Sequence, residues 1–188
     1  MKVEFIVNSN TEISDELKAS SALAKENKFD EAIELLKCTL RKIFLSDTSY
    51  PSSTYAKIIP YFQKAGRYSE IEPFSVEYLV PEIELKAKKS FSHKSSEMQN
   101  AFGAIYVSDI YKKMALCAKR ENLESDEGRF MNFSQEYRVK YLELLELGEK
   151  TSLQLEYNNT LEIFGSDTKK WPDIFKRKFQ GILQASNK

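Results

Sequence analysis

Residues 27–32 read N-K-F-D-E-A, and residues 66–71 read G-R-Y-S-E-I. The phrases lie 39 residues apart and match in chemistry over their first five positions. Each begins with a residue, Asn27 or Gly66, of the two types that most easily take the left-handed conformation ending a helix. Phe29 and Tyr68 follow, large aromatics suited to filling the gap between the two helices of a hairpin. Asp30 and Ser69 then read as N-caps of the next helix, and Ser69 with Glu72 reads as a capping box. Glu31 and Glu70 fall in the first turn, where negative charge suits the helix dipole. The phrase encodes a tight helix–turn–helix, and its recurrence suggests stacked hairpins.

Helical periodicity surrounds both copies. One helix is expected from near Ser14 to Asn27 and a second from Glu31 to about Phe44, with Ala32, Ile33, Leu35, Leu36 and Leu40 in its apolar stripe. After a loop at 46–53, helical pattern resumes at Thr54 and stops at Gly66, and the next helix starts at Glu70. Pro60 and Pro81 lie deep inside these segments and predict kinks, whereas Pro73 falls near a helix start. A loop at 90–96 precedes a long helix over 97–121, with Met98, Phe102, Ile105, Tyr106, Ile110, Met114 and Cys117 along its inner face. The charged run E-N-L-E-S-D-E reads as a connection, with 124–127 a solvated loop or acidic knob, before a helix over 128–148. Beyond Thr151 the spacing favours helix over a hairpin, and a short last helix begins at Pro172. Val3, Phe5 and Val7 alternate with Lys2, Glu4 and Ile6, the pattern of a short strand or extended arm.

The stretch K-E-N-K-F-D-E-A-I-E-L-L resembles the turn and second helix of a tetratricopeptide repeat, with Phe29 at its aromatic position and Ala32 at its small one. The second copy, Y-A-K-I-I-P-Y-F-Q-K-A-G-R-Y-S-E-I, keeps the aromatic, the glycine and the cap. It departs in Ile71, in Pro60, and in a spacing longer than the roughly 34 residues of that repeat. The resemblance covers about residues 14–80. It implies an all-α fold of antiparallel hairpins stacked as a short array: one helical domain over 1–188, with tetratricopeptide-like hairpins at 14–90. A divergent long helical pair at 97–150 and a C-terminal extension at 151–188 complete it. It also implies that aromatics and alanines of the phrase are packing residues, and that binding falls on the groove formed by the first helix of each hairpin. That face presents Leu17, Ser21, Ala24 and Lys25, then Ala56, Lys57, Gln63 and Lys64. The set lacks the Lys/Asn-rich clamp with which some such domains hold a C-terminal carboxylate.

Composition limits the function classes. The chain has 188 residues, 41% hydrophobic and 30% charged, with a formal net charge of zero. That is ordinary for a folded protein and gives no overall field for capturing nucleic acid or an anionic membrane. The two cysteines, Cys38 and Cys117, sit in apolar helical contexts, which predicts buried thiols in a reducing compartment. The N-terminal apolar run is too short and polar for a signal peptide or membrane span, so a soluble cytoplasmic protein is expected.

No catalytic, metal or cofactor residues stand out. His93 is the lone histidine, flanked by Ser92 and Lys94 in a loop, and the glycines are isolated rather than gathered in a phosphate-binding loop. The expectation is a non-enzymatic module binding another protein or peptide through Leu17, Ser21, Lys25, Lys57, Gln63 and Lys64, with no cofactor. An immunity-type protein that neutralises a bacterial toxin is one concrete version. No membrane, nucleic-acid or small-molecule partner is expected. The alternatives are a small helical hydrolase or nuclease using helix-borne carboxylates and a divalent metal, or a nucleic-acid binder. The latter would use the basic tail K-K-W-P-D-I-F-K-R-K-F-Q. An amphipathic helix that buries Trp171 and Phe175 on the core and shows Lys176, Arg177 and Lys178 to water accounts for the same tail without a ligand.

Overall fold

The computed structural model describes residues 10–185. The alternating segment at 2–7 lies outside them. Every regular element among the described residues is helical. Helix α1 (Asn10–Lys25) and α2 (Phe29–Leu45) form an antiparallel pair. Next come α3 (Ser52–Tyr55), a 3-10 turn (Ala56–Ile58) and α4 (Ile59–Lys64). A continuous helical run follows, from α5 (Ile71–Phe74) through a π turn (Ser75–Leu79) into α6 (Val80–Ser90). The antiparallel pair α7 (Ser96–Arg120) and α8 (Glu124–Phe164) comes next, and the short α9 (Asp173–Lys178) and α10 (Gln180–Ala185) close the described chain.

The α-helical pattern is interrupted at both places, each time immediately before the proline. Ile59 donates its amide to Ala56 in the 3-10 turn ahead of Pro60, and Val80 donates to Ser75 across the π turn ahead of Pro81. Proline has no amide for the helical ladder and its ring crowds the preceding turn, so the backbone tightens at one site and widens at the other.

The turn phrase ends helices as its residue types predict. Asn27 and Gly66 have φ of 61° and 74°. Lys28 donates to the Leu23 carbonyl and Asn27 to Ala24; Arg67 donates to Phe62 and Gly66 to Gln63. These paired bonds satisfy the carbonyls a helix C-terminus leaves free. A third copy stands at Asn122, φ 58°, where Leu123 donates to Ala118 and Asn122 to Lys119.

The N-cap expectation fails at both sites. Helix α2 starts two residues earlier than a cap at Asp30 requires, with Lys28 at the cap position and no side-chain cap bond. Asp30 instead accepts from Arg67 at 2.9 Å, and Arg67 also holds Glu70. Ser69 lies inside a 3-10 turn, Tyr68–Glu70, and Glu72 pairs with Arg129 rather than completing a capping box. With a guanidinium both partners of each bond are charged, whereas a capping bond would offer Asp30 or Glu72 a neutral backbone amide. The aromatics also reach forward, not into their own hairpin. Phe29 packs on Tyr61 of α4 (ring centroids 6.0 Å apart), and the Tyr68 hydroxyl donates to Asp126 of α8. The matching position after Asn122 is Glu124, where no further pair follows.

The core runs through all the pairs. Ile13, Ile33, Leu36, Leu40, Ile43, Tyr55, Ile58, Ile59, Phe62, Ile71, Leu79, Ile83, Val107, Ile110, Met114 and Phe130 are buried together. Small residues set close approach along α7. Buried Ala101, Gly103 and Ala104 face their neighbours, and Ser108 and Ser134 donate to each other's backbone carbonyls at 2.8 and 3.0 Å between α7 and α8. A Cβ on Gly148 of α8 would lie 2.6 Å from Met98 Cγ, so that crossing admits only glycine as the helices stand. Lys86, 4% exposed, donates to the Ser46 carbonyl at the end of α2, a cation placed at the negative end of a helix. Burial lowers its pKa.

The sequence divided the last third differently. Residues 124–127 are the first turn of α8, not a loop, and their acids suit the helix N-terminus. Helix α8 continues unbroken past Thr151, so the expected end at 148 falls inside it. With 41 residues against 25 in α7, α8 outruns its partner by about 24 Å at 1.5 Å per residue. The overhang carries its own small cluster. Trp171 and Phe179, 2% and 1% exposed, pack with Tyr157, and the Trp171 indole donates to the Gly165 carbonyl at 2.9 Å. Trp171 is buried as expected, but against the end of α8 rather than the main core, and Phe175 is half-buried against Phe164. Of the two cysteines, Cys117 is buried and Cys38 is exposed, which corrects the expectation of two buried thiols. Cys38 falls on the outer face of α2, opposite Ile33, Leu36 and Leu40.

Candidate functional site

The face expected from the first two hairpins is largely engaged in holding helices together. Lys57 donates to the Leu17 carbonyl at 2.9 Å and to the Ser21 hydroxyl at 2.5 Å, pinning α1 to the 3-10 turn. Partial burial pushes the Lys57 pKa down. Gln63 donates to Glu121 at 2.8 Å, tying α4 to the third turn. The Lys64 ammonium lies 5.4 Å above the Phe29 ring. Lys25 is exposed at the end of α1. Leu17, Ser21 and Lys57 therefore come together, while Gln63, Lys64 and Lys25 are each placed elsewhere.

A cleft lies further along the same series of first helices. It encloses about 460 Å³ between α3 with its following turn, α7, and the start of α8. Ala56, Ala115, Leu116 and Met131 form an apolar floor, with Leu116 and Met131 still 39% and 46% exposed. Lys112, Lys113 and Lys119 stand at the rim with Ser52, Ser53, Asp109 and Glu127. The two carboxylates are already engaged. Asp109 accepts from Ser52, and Glu127 lies 3.4 Å from the Lys119 ammonium. Among the described residues neither Lys112 nor Lys113 pairs with a carboxylate. Of these residues only Ala56 falls on the binding face expected from the sequence. The signal was present in K-K-M-A-L-C-A-K: Lys112, Leu116 and Lys119 recur at four and three residues, one stripe of a helix whose opposite face is core.

The aromatics of the basic tail pack, and two of its lysines are paired. Lys178 pairs with Glu156 and Lys176 with Asp173 at 3.2 Å, while the rings of Trp171 and Phe179 are buried. His93 is exposed in the turn after α6. Among the described residues, no three His, Cys, Asp or Glu side chains gather to hold a metal ion, and no helix is long and apolar enough to cross a membrane.

Fold and cleft together define an all-α protein of antiparallel helix pairs with a lysine-rimmed apolar cleft on one face. Compared with known proteins, the chain matches no family model, no curated protein and no solved structure.

Proposed function

We propose that the protein is a non-enzymatic binding module, a short tetratricopeptide-like stack of three helix pairs that holds another protein or peptide on the face of its first helices. The order of packing supports the stack. Helix α2 packs on α4, α4 on α7, and α6 on α7, so each pair rests on the next. The recurrent turn and its forward-reaching aromatics support it as well. The observation that carries the binding reading is the cleft over α7, where exposed Leu116 and Met131 adjoin two lysines without acidic partners. Exposed apolar surface rimmed by charge is the pattern of a recognition site. A toxin-neutralising role is one form of this reading, in which the partner is an enzyme silenced by the complex.

The test is capture from the native host followed by reconstitution from purified components. A stoichiometric complex is expected. Turnover of a nucleic-acid or ester substrate by the purified chain, dependent on Mg²⁺ or Mn²⁺ and lost on replacing Asp109 or Glu127, would overturn the reading in favour of an enzyme.

A further inference from the structure

We propose that the cleft between α3, α7 and α8 docks a short acidic peptide segment with one large apolar anchor. The anchor rests on Ala56, Ala115, Leu116 and Met131, and flanking carboxylates meet Lys112 and Lys113. This rests on the binding-module reading and names its ligand chemistry.

Charge sets the sign of the ligand. Glu127 is paired with Lys119, and Asp109 keeps its charge while accepting from the neutral Ser52 hydroxyl, so three lysines face two carboxylates and the excess of one positive charge falls at Lys112 and Lys113. The floor sets its second property. A purely anionic ligand would leave Leu116 and Met131 in water, and lysines exposed on a rim bind weakly and are screened by salt. An apolar side chain covering the floor adds a contribution that salt does not remove. Dimensions set its size. From Asp109 to Lys119, α7 spans about 15 Å at 1.5 Å per residue, the reach of four or five extended residues at roughly 3.3 Å each. The volume of about 460 Å³ holds one large side chain with its flanking backbone.

A single-stranded nucleic acid fits less well. Sites of that kind stack bases on aromatic rings, and no aromatic among the described residues lines this cleft. The aromatic groove elsewhere, lined by Phe62, Phe74 and Tyr78, already has Lys37 and Arg67 over the Phe62 ring.

The test is a random-peptide display selection against the full chain. Fluorescence polarisation of the enriched peptides follows, with oligouridylate and oleate as competing probes. Enriched peptides are expected to share one large apolar residue flanked by Asp or Glu. Lys112→Glu with Lys113→Glu, and separately Leu116→Asp, should each weaken them at least about tenfold, the loss of one good contact. Thermal melts of both variants check that these surface changes leave the fold intact. High salt should weaken binding without abolishing it. Enriched peptides without acids, or peptides indifferent to both variants, would overturn the docking assignment while leaving the binding module standing. Oligouridylate or oleate binding that depends on the same residues and displaces the peptides would reassign the cleft to that ligand. A selection that yields no binder at all would count against both readings.

Discussion

Replacing Trp171 with Ala should release the C-terminal cluster and leave the helix pairs folded. Trp171 is 2% exposed, contacts the rings of Tyr157 and Phe179, and donates its indole N–H to the Gly165 carbonyl. Emptying a buried site of this size costs about 3–5 kcal/mol. The carbonyl left without its donor adds about 1 kcal/mol. The cluster that would absorb this loss is small, and it sits on a stretch of α8 that α7 does not reach. Peripheral units of this kind open with free energies well below the global value, so the loss exceeds what holds the tail in place. The exposed end of α8, about four turns long, is then near the lower limit for an isolated helix and should fray. Hydrogen exchange read by mass spectrometry checks this. Amides from about 153 onward should lose protection, while those of 101–118 keep theirs. The main thermal transition should move by less than about 2 °C, under 1 kcal/mol for a chain of this size. One cooperative transition lowered by roughly 8–24 °C, with protection falling everywhere, would refute the reasoning and place the tail in the main cooperative unit.

Gly148→Ala gains about 1 kcal/mol of helix propensity but sets a methyl against Met98, a clash worth about 1–3 kcal/mol. Denaturant titration should show net destabilisation that Met98→Ala removes in a double-mutant cycle. Gly66→Ala meets no atom within 4 Å but holds alanine at φ 74°, so a backbone cost alone of about 1–2 kcal/mol is expected from the same titration. Burial pushes the Tyr55 phenol up to about 12, with Tyr106 and Tyr50 adding to the shift. A raised folded value means its stabilising share is complete below about pH 10 and is lost as pH rises toward 12. Melting temperature across that window should fall less steeply in Tyr55→Phe than in the parent; equal slopes would refute the assignment.

The helices and their interruptions were legible because each depends on near neighbours. Asn27 and Gly66 specify left-handed turns by residue type, and Pro60 and Pro81 specify breaks by chemistry. The third turn was legible in the same terms, since Glu121-Asn122 repeats Glu26-Asn27, but the absence of a following aromatic hid it. What failed depended on partners far along the chain. Asp30 leaves its capping role for Arg67, Glu72 leaves its own for Arg129, and Lys57 turns inward to Leu17 and Ser21. The cleft was missed for a related reason. The periodicity of α7 marks its buried stripe, and the exposed stripe of Lys112, Leu116 and Lys119 becomes a site only when α3 and α8 wall it on either side.

The wide turn at Ser75–Leu79 holds one residue more than the α-helical turn it replaces. Its five residues carry the helix through about the same rotation as four α-helical residues, so Ile71–Phe74 keeps the facing relative to α6 that a regular helix one residue shorter would give. Ile71 therefore shares the core with Leu79 and Ile83. Losing one of Val76, Glu77 or Tyr78 would restore a regular turn and keep that facing, whereas losing a residue elsewhere in 71–90 with the wide turn retained would rotate Ile71–Phe74 by about 100° around the axis. Natural length variants of this chain should place their insertions and deletions in the connections at 46–51 and 91–95, and a deletion within this helix should fall in the wide turn and replace it by a regular one.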